Sequence, residues 1–82
     1  MIVEIKAPEL GPGETEVTII QWHKGTNDFV KADEILVEIM TDKVNHEIES
    51  PVSGTILEIL FVRDEVVKVG DVMARIEDER LK

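Results

Sequence analysis

The chain is predicted to be an all-β domain, on three observations. Apolar residues alternate with polar ones at a period of two. Turn-forming residues interrupt the pattern every few positions. The second half of the sequence repeats the first. No window of 12 or more residues keeps a helical period, so strands are the only regular elements expected.

The elements follow in order. Val3, Ile5 and Ala7 alternate with Glu4 and Lys6, as one strand. Pro8 to Glu14, "PELGPGE", carries two prolines and two glycines and reads as a loop. "EVTIIQWH" (16–23) is rich in β-branched and aromatic residues and resumes as a strand. "KGTND" turns the chain. "EILVEIM" (34–40) and "VNHEIES" (44–50) form two strands joined by Thr41, Asp42 and Lys43. Pro51 and Gly54 punctuate the chain before "TILEILFV" (55–62); "RDE" turns it again and "DVMARIE" (71–77) closes it. About eight short strands with regular turn signals predict a small sandwich or barrel.

The repeat appears when Val30 is laid on Val67, a shift of 37 positions (67 − 30). Thr18/Thr55, Ile19/Ile56, Val30/Val67, Lys31/Lys68 and Ile39/Ile76 are then identities, and Leu36/Met73 and Ile20/Leu57 are similar pairs. Two halves of the same strand order are expected to close on each other about a pseudo-twofold axis, neither burying its apolar face alone. Asp42-Lys43 falls opposite Glu79-Arg80 in this overlay, so the hairpin of one half replaces the C-terminus of the other. Lys43 is therefore expected at the end of the domain remote from the chain ends.

With 82 residues the chain is long enough for one domain, taken as 1–82 with a structured core over about 2–78. Hydrophobic residues make up 43% and charged residues 33%, a globular composition. The net charge of −9 disfavours nucleic acid, which needs cations to displace its counterions, and disfavours an anionic membrane surface. There is no cysteine, hence no disulfide or thiolate metal site. No apolar run reaches spanning length and the start is neither signal nor transit peptide, so a cytoplasmic location is expected. His23 and His46 stand apart from any ligand cluster, so no metal site is expected. Trp22 alternates with Ile20 and is expected to pack in the core. The acidic residues Glu9, Glu14, Glu16, Asp28, Asp33 and Glu34 either keep the domain soluble or steer a basic partner.

On residue physics alone, Lys43 is a solvated charge in a turn that Asp42 favours. "EIMTDKVNHEIESPVSGTILEI", however, closely resembles the lipoyl-attachment motif of lipoyl domains in the dihydrolipoyl acyltransferase component of 2-oxo acid dehydrogenase complexes. The likeness extends upstream through "APELGPGETEVTIIQWHKGTNDFVKADEILVEI" and downstream through "VKVGDVMARIE". The resemblance implies a flattened barrel or sandwich of two four-stranded antiparallel sheets, a barrel-sandwich hybrid. It implies lipoic acid in amide linkage on Lys43, on a domain without catalysis of its own, and no catalytic residue. Acyl groups and reducing equivalents would pass between a thiamine-dependent decarboxylase, an acyltransferase core and dihydrolipoamide dehydrogenase, after a lipoate-attaching enzyme has modified the lysine. The isolated domain is expected to be a monomer, bacterial or archaeal in origin, or of the mitochondrial matrix if it is a fragment of a eukaryotic chain.

The resemblance also implies partner recognition by Thr41, Asp42 and Val44 of the hairpin and by Gly11, Glu14 and Glu16 of the preceding loop. Departures bear on this. Pro12 stands where the family often has an acidic residue and Thr15 where it often has a branched aliphatic one. Asn27 and Asp64 replace glycines usual in two turns, though both residues tolerate a left-handed backbone. A biotinyl carrier domain is the alternative of the same fold, but its lysine typically sits in Met-Lys-Met and not Asp42-Lys43-Val44. An unmodified β interaction domain is the other alternative. "GETEVTIIQW" leans the expected substrate weakly towards the branched-chain type.

Overall fold

A computed structural model describes residues 1–41 and 44–79. Eight strands occur among them: β1 (Ile2–Lys6), β2 (Glu16–Trp22), β3 (Phe29–Val30), β4 (Ile35–Thr41), β5 (Val44–Glu49), β6 (Gly54–Ile59), β7 (Val66–Lys68) and β8 (Val72–Asp78). They form two four-stranded antiparallel sheets, ordered β1-β8-β6-β3 and β5-β4-β2-β7. The predicted all-β architecture is therefore present as the sandwich. The sheets are not hydrogen-bonded into a closed barrel, because the edge strands β3 and β7 have only two and three residues and each pairs on one side alone. The strand read through Val62 stops at Ile59. Leu60 donates its N–H to Met73 O, and Val62 then opens a turn whose N–H is received by the Glu65 carboxylate.

The repeat is a structural one. Exchanging β1 for β5, β8 for β4, β6 for β2 and β3 for β7 converts one sheet order into the other. Bulges recur at matching places, between Ile19 and Gln21 on β2 and between Ile56 and Glu58 on β6. The left-handed positions recur too: Asn27 and Asp64 both have φ 73°, and Asp33 (72°) matches Gly70 (94°). Asn and Asp hold this conformation at modest cost, which is why the turns survive without their usual glycines. Ile19, Val30, Leu36, Val37 and Ile39 are fully buried, as are their counterparts Ile56, Val67, Met73, Ala74 and Ile76. These ten side chains from both halves make one core.

Crossing hydrogen bonds lock the halves together. Ile19 receives the N–H of Asp64 (2.8 Å) and donates its own to Glu65 O (2.9 Å). Ile56 does the same with Asn27 (2.7 Å) and Asp28 (2.9 Å). At the outer ends, Ala7 exchanges two backbone bonds with Gly70 and Asp71, and Ser50 exchanges two with Asp33 and Glu34.

The segment Ser50-Pro51-Val52-Ser53-Gly54 earns each of its residues. The buried Ser50 hydroxyl donates to Val52 O at 2.6 Å and closes the turn. Val52 enters the core. Ser53 Oγ receives the Ala32 N–H at 2.9 Å and ties down the 31–34 turn. At Gly54 a Cβ would collide with the Glu77 carbonyl and press on Ile76 Cγ2 at 3.1 Å, so glycine is required by the approach of β8.

Two expectations follow. Gly54→Ala must push backbone against backbone, and its denaturant midpoint should fall by the equivalent of about 2–3 kcal/mol. In the 31–34 turn, the Lys31 N–H and then the Lys24 ammonium (3.1 Å) hold the Glu34 carboxyl below its ordinary value of 4.5. A depressed carboxyl stabilises the fold above its unfolded-state value and loses that effect as pH falls through the folded one. Wild type should therefore be more stable than Glu34→Gln at neutral pH, and thermal melts of the two should converge as the solution is acidified.

Candidate functional site

β4 runs out to Thr41 and β5 returns from Val44, with these two residues paired. After a shift between Ile35 and Val37 the ladder runs in register from Val37↔Ile48 to Thr41↔Val44. Asp42 and Lys43, the residues the sequence places in the turn between Thr41 and Val44, lie outside the described residues. The base of the turn is asymmetric. Thr41 is buried at 7% exposure, while Val44 is 54% exposed. A buried β-branched residue on one side fixes the ladder; the other side opens to solvent.

Backbone contacts locate this end of the domain. The start of β4 lies beside Ser50, and Ser53 receives the Glu79 N–H at 3.0 Å, so β4 begins at the same end of the domain as Glu79. Met1 O receives the Asp78 N–H at 2.9 Å, bringing Met1 to that pole as well. β4 then leads away from that pole, in a body measuring 39 × 20 × 19 Å. β8 starts beside Ala7 and runs the other way. Thr41 and Val44 thus mark the pole remote from Met1 and Glu79.

The 7–15 loop comes to the same pole. Thr18 pairs with Met40, so the chain before Glu16 runs towards the β4 end at Thr41. The loop is shaped by a turn in which Glu14 donates to Gly11 O (3.1 Å), with Gly13 left-handed at φ 80°. Val69 anchors its end by donating to Thr15 O at 3.0 Å. Gly11 and Glu14 are half-buried and Glu16 is exposed, paired with Lys68 on β7. Hairpin base and loop therefore share one end of sheet β5-β4-β2-β7.

Other residues singled out in the sequence fall elsewhere. Trp22 is half-buried against the core, and its indole N–H donates to Phe61 O at 2.8 Å. His46 is half-buried on β5 opposite the buried Ile39. His23 is exposed and hydrogen-bonds Glu38 at 2.9 Å. No group of three metal-ligating side chains occurs among the described residues. None of their helices is long and apolar enough to cross a membrane. The sequence reading did not single out Glu38, Glu47 or Arg75. Their alternation marks them as outward, but only the register shows which charges meet.

Comparison with known proteins agrees with this geometry. The biotin/lipoyl family, described as biotin-requiring enzymes, matches residues 3–76. The chain is 55% identical over 75 residues to the dihydrolipoyllysine-residue acetyltransferase component of the pyruvate dehydrogenase complex of Corynebacterium glutamicum, covering 92% of this chain and 11% of that protein. Identity is 43% to the lipoamide acyltransferase component of the branched-chain alpha-keto acid dehydrogenase complex of Pseudomonas aeruginosa, over 92% of this chain and 18% of that one. The chain spans less than a fifth of the length of these relatives. Among solved structures, the lipoyl domain of the 2-oxoglutarate dehydrogenase complex from Azotobacter vinelandii superposes with TM-score 0.80 at 33% identity, over 93% of this chain and 96% of that one. Urea carboxylase of Kluyveromyces lactis contains the same fold at 19% identity, TM-score 0.78, over 94% of this chain and 6% of that one. A full-length match to a solved lipoyl domain, a family match over nearly every strand and the paired hairpin base lead to one conclusion: the chain belongs to the biotin/lipoyl family, and within it to the lipoyl domains.

Proposed function

We propose that Lys43 carries lipoic acid in amide linkage, and that the domain presents this arm to the enzymes of a 2-oxo acid dehydrogenase complex. The observation that carries the reading is the paired Thr41 and Val44 at the pole remote from Met1 and Glu79, with Asp42-Lys43 between them in sequence. A residue held there has a rigid base and open solvent beside the 54%-exposed Val44. That combination suits a long arm, because rigid placement of one end confines the search of the other. When attached, the dithiolane supplies acyl transfer and two-electron redox chemistry. The protein supplies position and a high local concentration at each successive site.

The chain itself performs no catalysis; its parent is a dihydrolipoamide acyltransferase by likeness to its relatives. The partners are a thiamine-dependent decarboxylase, the acyltransferase core, dihydrolipoamide dehydrogenase and a lipoate-attaching enzyme. The isolated domain works as a monomer, in a cytoplasmic or matrix compartment. Identity is higher to the pyruvate-complex relative than to the branched-chain one, which favours pyruvate over the branched-chain substrate leaned to above. Recognition draws on Thr41, Asp42 and Val44 of the hairpin and on Gly11, Glu14 and Glu16 of the neighbouring loop, with Thr41 buried at the hairpin base.

Expression with both lipoate and biotin available tests the assignment. Intact mass should show a single lipoyl increment, and peptide mapping should place it on Lys43. A biotinyl increment, an unmodified chain, or a lipoyl group on Lys6, Lys24, Lys31 or Lys68 would overturn it. Position should matter more than composition, since one step along a strand turns a side chain to the other face. Asp42→Lys combined with Lys43→Asp should remain folded by circular dichroism and lose modification. For the loop, Glu14→Ala and Glu16→Ala should lower decarboxylase-driven acylation of the lipoylated domain. A drop of about tenfold marks a desolvated contact, about 1.4 kcal/mol; a smaller, salt-sensitive drop marks long-range steering.

A further inference from the structure

The pseudo-twofold axis allows the two outer sheet faces to be compared position by position. On β1-β8-β6, Glu4 and Glu58 both face Arg75 across the strands. Arg75 Nε lies 3.3 Å from Glu4, and its other arm hydrogen-bonds Glu58. The contact with Glu58 is the main reason the Arg75 guanidinium is held above its ordinary value. The matching positions on β5-β4-β2 are Glu47, Glu38 and Gln21. There the central arginine is replaced by glutamate, and Glu38 stands directly opposite Glu47.

Carboxylates directly across an antiparallel pair sit with Cβ atoms about 4.5–5.5 Å apart and repel each other. His23 hydrogen-bonds Glu38 from its side, and among the described residues no cation pairs with Glu47. Glu49, exposed one repeat further along β5, adds to the same face. One sheet thus sets an arginine between its two outer carboxylates, and the other leaves the equivalent pair of carboxylates with no arginine between them. The fold does not require the second arrangement, since the first satisfies the same backbone.

We propose that the outer face of β5-β4-β2, centred on Glu38 and Glu47, docks a lysine- and arginine-bearing surface of the decarboxylase around the opening that receives the Lys43 arm. The partner is the one named in the proposed function, on which this inference rests. Charge complementarity selects a basic surface. Location selects the one around the arm: Glu47 is three residues beyond Val44, about 10 Å along the strand. A standard interface of about 800 Å² per partner reaches that far from its centre. Asn45, Met40 and Thr18 form the row between the acidic pair and the hairpin, so the surface is continuous with the pole.

Two measurements test the proposal. In the first, the ¹⁵N-labelled, unmodified domain is titrated with the decarboxylase, so the result does not depend on Lys43 being lipoylated. Amide signals of Gln21, Glu38 and Glu47 should shift or broaden, and those of Glu4, Glu58 and Arg75 should not. Perturbation confined to the hairpin, or shared by both faces, overturns the proposal. In the second, lipoylated Glu47→Lys is compared with lipoylated Glu77→Lys, the same charge change on the opposite sheet. Glu47→Lys should lower kcat/KM for decarboxylase-driven acylation by about tenfold at low salt, with thermal stability equal to wild type or higher because the repulsion is relieved. Glu77→Lys should stay within about twofold of wild type. An unchanged rate in Glu47→Lys, or equal losses in both variants, rejects this face as the docking surface. If Glu47→Lys melts lower than wild type, Glu38→Gln/Glu47→Gln replaces it under the same criteria.

Discussion

Ile19 and Ile56 hold the domain together. Each is a fully buried side chain on one half whose backbone is hydrogen-bonded to a turn of the other half. A buried amide without a partner costs more than the bond contributes when made. Neither half can therefore keep its central strand inside the core unless the other supplies residues 27–28 or 64–65. The bulge after each isoleucine, the left-handed Asn27 and Asp64, and the short strands β3 and β7 are conditions for those crossing bonds. Cooperativity between halves is thus built into the backbone as well as the core. The first and last strands pair with each other, so closure over most of the chain precedes full stability. Folding of such non-local topologies falls in the millisecond-to-second range.

The same symmetry gives the functional end its character. Where β8 ends at Asp78, its counterpart β4 ends at Thr41 and is paired there with Val44 of β5, so the pole remote from Met1 and Glu79 is built on one hairpin base. The last pair of the ladder joins buried Thr41 to Val44, and its neighbour is a loop pinned by Val69. A hydrogen-bonded base leaves the reach to the proposed appendage, a division that suits a carrier serving several enzymes.

Much of the fold was legible from residues. Alternation identified most strands, and identities such as Ile19/Ile56 and Val30/Val67 foretold both the pseudo-twofold and its core. Asn27 and Asp64 announced left-handed turns without glycine. What stayed hidden depends on register. The period of two in β4 and β5 marks Glu38 and Glu47 as outward, but the bulge near Val37 decides that they face each other. The end of β6 was missed because Phe61 and Val62 are as apolar as the strand they follow, and the turn there is set by the Val62–Glu65 hydrogen bond. Gly54 signalled a turn, whereas its role comes from a strand arriving more than twenty residues later. Lys43 was not legible by chemistry at all; a lysine in a turn is ordinary, and only its resemblance to an attachment motif distinguishes it.

Met1 and Glu79 leave the domain side by side, from adjacent antiparallel strands β1 and β8. Suppose flanking polypeptide were pulled from both ends. The load would open β1 from β8 like a zipper, one backbone bond at a time, because the strands are drawn apart at a shared end and not sheared along their length. The opposite tip would feel none of that load until most of the ladder had parted. Tension in a tether can therefore drag the whole body through solvent, or begin to peel its edge, without altering the aim of whatever the far end presents.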